Sequence, residues 1–153
     1  MQENEVDFWP SDLAQEDASS PVAILRQQAE ALAAHTGHKL RARVATQPDV
    51  SELLSGPNWK FRHRLVIVVP ALEDYELDLV SLYQGMNFYP IAAHLVKQDN
   101  VDLLEDEPSL KNWLKKAFSS PATRNSLRTL LSLRVPSSHR SVSLRFRHRH
   151  GEP

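Results

Sequence analysis

Four side chains in the middle of the chain, His63, Ser81, Tyr83 and His94, are of the types that acid–base chemistry uses. A histidine titrates near neutral pH and can move a proton at a hydroxyl, and Arg62 and Arg64 beside His63 supply charge for a phosphate. Two histidines with a hydroxyl and an arginine are the stock of a small ribonuclease or phosphotransferase. His63, Ser81 and His94 are therefore the candidate catalytic residues. The same positions admit a plainer reading, in which the histidines are hydrogen-bonded packing inside a core. A small hydrolase or nuclease accordingly ranks third among the functions considered.

Other chemistries find less support. His139, His148 and His150 lie among arginines, with no Cys and no helical His-Glu pair, so no metal is expected there. The acidic run Asp99–Glu107 lacks the glycine and the spacing of a calcium loop and reads as a solvated loop and helix cap. Gly37, Gly56, Gly85 and Gly151 are isolated, which rules out a glycine-rich phosphate loop, and no cofactor is expected. The absence of cysteine excludes disulfides and thiolate catalysis and favours a reducing cytoplasm. The longest uncharged stretch, Leu65–Leu72, is far too short to span a bilayer.

The elements that must position these residues centre on Phe61–Val96, three short apolar segments separated by turn signals and rich in Val, Ile, Leu and Tyr. They read as an antiparallel meander. With Val69 and Tyr75 bracketing the first turn, Leu65, Ile67 and Val69 share a face with Tyr75, Leu77 and Leu79. The other face then carries Arg62, Arg64, Val66 and Val68 beside Glu76, Asp78, Val80 and Leu82. In that register His63 lies opposite Ser81 and His94 opposite Leu77. A type II′ turn at Gln84–Asn87 leads to a third segment with Phe88, Ala92 and His94 on the face of Leu77 and Leu79. Pro90 marks that segment as an edge or a bulge.

Before the meander, Ser20 and Pro21 open a helix with Val22, Leu25, Ala29, Leu32 and Ala33 at helical spacing, and Gly37 stops it. Lys39–Val44 alternates as a strand with Leu40, Ala42 and Val44 inward. Residues 47–58 read as a surface loop, with one helical turn at 50–54. After the meander, Pro108 starts a helix with Leu110, Trp113, Leu114, Ala117 and Phe118 on one side, and Ser120-Pro121 opens another with Leu127, Leu130 and Leu131 buried. Leu65, Ile67, Leu77, Leu79, Leu25, Leu32, Trp113 and Phe118 are expected in one core.

The expected fold is thus α+β. An N-terminal helix is followed by a four-stranded, mainly antiparallel sheet, one strand plus the three-stranded meander, and two C-terminal helices pack on it. Residues 1–19 form an acidic arm, 20–135 a single domain and 136–153 a basic tail. A chain of 153 residues that is 41% apolar can bury one real core. This element order suits small bacterial chaperones and immunity or antitoxin proteins, and in outline double-stranded RNA-binding domains. The latter have three strands and a lysine-rich start to the last helix, whereas Lys115 and Lys116 come late in theirs.

The net charge of −1 hides a polarity between the ends. Residues 1–20 hold six acids and no Lys or Arg, while residues 136–153 hold four arginines and one acid. Phe8 and Trp9 stand out in the acidic arm. Either they dock on the body of the domain, or they are a motif for another protein or a second copy of the chain. The favoured function is a non-enzymatic, cytoplasmic protein-binding module, an adaptor, chaperone or immunity/antitoxin-like protein that forms homodimers or binds another protein. The alternative is a nucleic-acid-binding module using Lys39, Arg41, Arg43, Arg62 and Arg64 on the sheet or Arg145, Arg147 and Arg149 in the tail.

Overall fold

The computed structural model describes residues 7–49 and 59–133. The described elements are α1 (Pro21–His35), β1 (Arg41–Pro48), β2 (Phe61–Val69), a 3₁₀ turn (Pro70–Leu72), β3 (Tyr75–Gln84), β4 (Ile91–Leu95), β5 (Val101–Leu104), α2 (Glu107–Ser119) and α3 (Pro121–Ser132). All strand pairs are antiparallel and lie in chain order, β1-β2-β3-β4-β5. The α+β class stands, and among the described residues the sheet has five strands rather than four.

The added strand is β5, in the acidic run read as a loop. Only Leu104 of its four residues is buried, so the apolar alternation that marks a strand is nearly missing. Among the described residues it pairs on one side only, with β4, and Asp102 and its acidic neighbours suit an edge that must not recruit further strands. Asp106, just after it, caps α2 through a hydrogen bond from the Ser109 backbone N–H at 3.0 Å. Ser109, through its side chain first and its backbone N–H second, holds the carboxyl below the usual carboxylate range.

Helix boundaries follow their cap chemistry. Ser20 Oγ accepts from the Ala23 N–H at 3.2 Å, with Pro21 in the first turn of α1. Ser120 repeats the device for α3 at 3.3 Å from Thr123 N. Gly37, with φ of 58°, and His38, with φ of 65°, turn the chain out of α1 in left-handed conformations. Ile24 and Leu25 of α1, Leu110 and Leu114 of α2, and Leu130 of α3 join Leu65, Ile67, Val80, Leu82 and Ile91 in one core on one face of the sheet. The eight core residues expected above all fall in this cluster or pack against it.

The expected register holds at the first turn and fails beyond it. Val69 pairs with Tyr75 and Ile67 with Leu77, but Leu65 pairs with Val80 because Leu79 is bulged out of the ladder. The bulge lets two consecutive apolar residues, Leu79 and Val80, both enter the core. Every later pair is shifted by one, so His63 lies opposite Leu82 and Arg64 opposite Ser81. Val80 and Leu82 therefore face the helices, and Ser81 and Tyr83 take their places beside the arginines.

The second connection also differs from expectation. It runs from Gly85 to Pro90, includes a cis Tyr89–Pro90 peptide, and leaves Gly85 outside the left-handed region that a type II′ turn needs. Phe88 lies in this connection, and Ala92 and His94 pair with Tyr83 and Ser81 on the face opposite Leu77. β4 is an interior strand, with β5 on its far side, and Pro90 precedes it. β1 runs on to Pro48, past the expected loop start. The helical turn expected at 50–54 and the basic tail at 136–153 lie outside the described residues.

Candidate functional site

The bulge in β3 separates the candidate catalytic residues. His63 points to the helix face and Ser81 to the other, so the trio His63, Ser81 and His94 does not assemble. His63 is buried, with Nδ1 at 2.9 Å from Thr46 Oγ1 and Nε2 at 2.8 Å from Gln84 Oε1. The amide oxygen can only accept, so Nε2 carries the proton and Nδ1 accepts from the threonine hydroxyl. Burial lowers its pKa, the Gln84 contact opposes this, and the Arg26 charge adds to the lowering. A neutral ring held at both nitrogens by neutral partners is a structural histidine.

The opposite face carries the charge. Arg64 reaches diagonally to Asp78, with Nη1 at 3.0 Å from both carboxylate oxygens. Arg43 pairs with Glu76 at 3.0 Å. Arg62 makes the same diagonal step but meets a hydroxyl: Ser81 Oγ accepts from Nε at 3.2 Å and from Nη2 at 3.1 Å. Its guanidinium carbon lies 5.8 Å from the centre of the Tyr83 ring. Ser81 is fully buried beneath it. The side chains of Lys39 and Arg41 have no hydrogen bond or ion pair among the described residues. His94 turns Nε2 onto the Gln98 carbonyl, which fixes its proton on that nitrogen.

Of the expected basic residues, Arg41, Arg43, Arg62 and Arg64 lie on one face of the sheet, Lys39 precedes β1, and Arg43 and Arg64 are committed to carboxylates. Arg145, Arg147 and Arg149 lie outside the described residues, as do His139, His148 and His150. Among the described residues no three acidic or histidine groups come together as a metal site. No helix of the described residues is long and apolar enough to cross a membrane.

The acidic arm answers the question left open for Phe8 and Trp9. They are 89% and 76% exposed, and Leu13 is 63% exposed, so the aromatic pair is not docked on the body. The arm has local order: Leu13 N bonds Pro10 O and Gln15 N bonds Asp12 O, in two overlapping turns. Glu16 pairs with Arg26 of α1 at 3.3 Å. The Tyr89 hydroxyl donates to the Ser19 carbonyl at 2.9 Å, and burial first, then Glu107, Asp106 and Asp17, push its pKa up to about 12. That phenol keeps its proton at any working pH, and it fastens the arm's root to the β3–β4 connection.

On the helix side a second feature had no signal in the sequence. A cleft of about 310 Å³ opens between the C-terminal half of α1 and the α2–α3 pair. Its floor is Ala42, Leu65, Ile67 and Leu79, and its walls include Ala31 and Leu32 on one side and Phe118 and Leu127 on the other. Gln28 and His35 are the polar residues lining it. A shallower groove of about 300 Å³ lies between Tyr75 and Leu77 and the Asn125–Leu130 side of α3. Comparison with known proteins adds nothing to this geometry: no family model, curated protein or solved structure matches the chain.

Proposed function

We propose that this chain is a non-enzymatic protein-binding module, of the general class of adaptors, chaperones and immunity or antitoxin proteins, and that its contact element is the acidic arm. One observation carries the reading: Phe8, Trp9 and Leu13 stand exposed together on a locally ordered segment. Large exposed aromatics are costly in water, and tryptophan is over-represented among the residues that dominate binding energy. The acids around Phe8, Trp9 and Leu13 steer the encounter toward a basic rim. The cysteine-free composition suits a reducing cytoplasm.

A nucleic-acid reading is favoured by Arg62, which is half-buried and has no carboxylate partner among the described residues. It ranks second because Glu76 and Asp78 share that face and compete for its cations. Capture from native lysate, with and without nuclease, separates the two readings. Phe8→Ser/Trp9→Ser in the full chain should lose the captured protein whatever the nuclease treatment. Capture that survives the double substitution and vanishes with nuclease would exchange the ranking.

A further inference from the structure

We infer that the apolar cleft between α1 and the α2–α3 pair receives the Phe8-Trp9 arm of a second copy of this chain, so that two copies exchange arms. The inference rests on the protein-binding reading of the arm and names its partner. Both halves of a contact are present on one molecule, on separate surfaces. The donor is a segment with two aromatics 89% and 76% exposed. The acceptor is a cleft of about 310 Å³ floored by Leu65, Ile67 and Leu79, at the lower end of the size range of ligand pockets.

Charge matches as well. The described arm contributes Asp7 and Asp12 and no Lys or Arg, Glu16 and Asp17 being engaged by Arg26 and Ser19 of their own chain. On the helices that wall the cleft, Lys115 lies one turn before Phe118 and Arg124 one turn before Leu127, and His35 lines the cavity itself. Glu30, next to Ala31 on α1, is the acid that stands against this basic flank. The molecule's own arm is held elsewhere, by Glu16 on Arg26 and by Tyr89 on Ser19, with both aromatics turned to solvent. A second copy is therefore the occupant that uses the arm as it is folded.

Area sets the strength of such a dimer. Two aromatics bury about 300–500 Å² per arm. The cleft floor is already only 1–8% exposed at Leu65, Ile67 and Leu79, so the arms supply most of the buried area, about 600–1,000 Å² for two, the size of a weak, concentration-dependent contact. Exchange between two copies closes on itself with two-fold symmetry and leaves no arm unpaired.

The test is sedimentation equilibrium of full-length proteins across a range of concentrations, each variant checked first for a cooperative melt. Phe8→Ser/Trp9→Ser removes the donor. Ala31→Glu, or Leu127→Glu on the opposite wall should the first fail to fold, puts an acid into the acceptor. Wild type should dimerise, and each variant alone should lose at least about tenfold in dimer affinity. An equal mixture of donor-dead and acceptor-dead chains should recover association, since one intact arm meets one intact cleft. Variants that dimerise like wild type overturn the inference, as does a mixture that fails to recover, the result expected if each arm folds back into its own cleft. Wild type that stays monomeric overturns it too. If lysate capture still depends on Phe8 and Trp9 in that case, the protein-binding reading survives with a different partner; if it does not, both fall together.

Discussion

Arg62 and His63 are neighbours in the chain and belong to different surfaces of the molecule. His63 enters the helix-covered face, where burial strips it of charge and two neutral partners engage both ring nitrogens. Arg62 enters the other face, where guanidinium groups meet carboxylates, a hydroxyl and an aromatic ring. One face is held by apolar area and tolerates a titratable group only when it is neutral. The other is held by directional polar contacts on a ladder of arginines. The helix-covered face should therefore govern stability, and the arginine face should govern its response to salt.

The sharpest way to break that contrast is to cut into the helix-covered face. Ile67 is 1% exposed in the interior strand β2, and Ile67→Ala should cost about 2–5 kcal/mol in denaturant unfolding, the usual range for a core aliphatic truncated to alanine. A loss below about 1 kcal/mol would mean that the neighbouring cleft lets the core collapse around the deletion.

On the arginine face the corresponding change is Asp78→Ala, which leaves the half-buried Arg64 without its bidentate partner. A loss of about 1.5–3 kcal/mol is expected, the cost of a hydrogen bond to a charged group. Arg64 Nε is already buried with no hydrogen-bond partner among the described residues, so this cation has little to fall back on. Glu76→Ala should cost only about 0.2–1 kcal/mol, because its pair with Arg43 is roughly half exposed, and added salt should erase the difference. Equal costs at the two sites would show that the ladder acts as one network.

Titration separates the faces again. The folded pKa of His63 lies below its ordinary value near 6.5, so between those two values the unfolded chain binds more protons than the folded one. Stability from this group is complete above about pH 6.5 and is lost as pH falls toward the folded value. His63→Gln, which keeps a polar side chain between Thr46 and Gln84, should flatten the fall in unfolding free energy on acidification from neutral pH. An unchanged slope would place the acid sensitivity elsewhere.

The two faces also differ in how far the sequence declares them. The three helices follow from Ser-Pro starts at α1 and α3, from Pro108 in the first turn of α2 and from apolar spacing, and the pairing from Val69–Tyr75 to Ile67–Leu77 follows from simple alternation. The arginine face beyond that point does not, because simple alternation pairs Leu79 with Leu65 where the strand bulges instead. The signal was present: Leu79 and Val80 are adjacent and both apolar, and both can face a core only if the strand bulges. That one extra residue puts Ser81 under Arg62 and parts it from His63. β5 escaped detection because an edge strand with one buried residue shows almost no period. The cleft had no sequence signal at all, since a void arises from how helices and sheet meet and from no residue's own pattern. Phe8 and Trp9 were visible as an anomaly, and only their exposure separates a docked arm from a presented one.

The smallest expected effect on stability is the most informative about function. Neither Phe8 nor Trp9 belongs to the core cluster or packs against it, and both face water in the folded chain. Phe8→Ser/Trp9→Ser should therefore shift the unfolding free energy by no more than about 0.5 kcal/mol, as for surface positions without partners. The measurement belongs at low protein concentration, because any association through the arm adds apparent stability by mass action. At high concentration wild type should gain stability and the double variant should not. A loss of several kcal/mol at low concentration would mean that the arm packs on its own domain in solution. Phe8 and Trp9 would then belong with Ile67 on the apolar side of the comparison, as part of what folds the chain rather than what it offers to a partner.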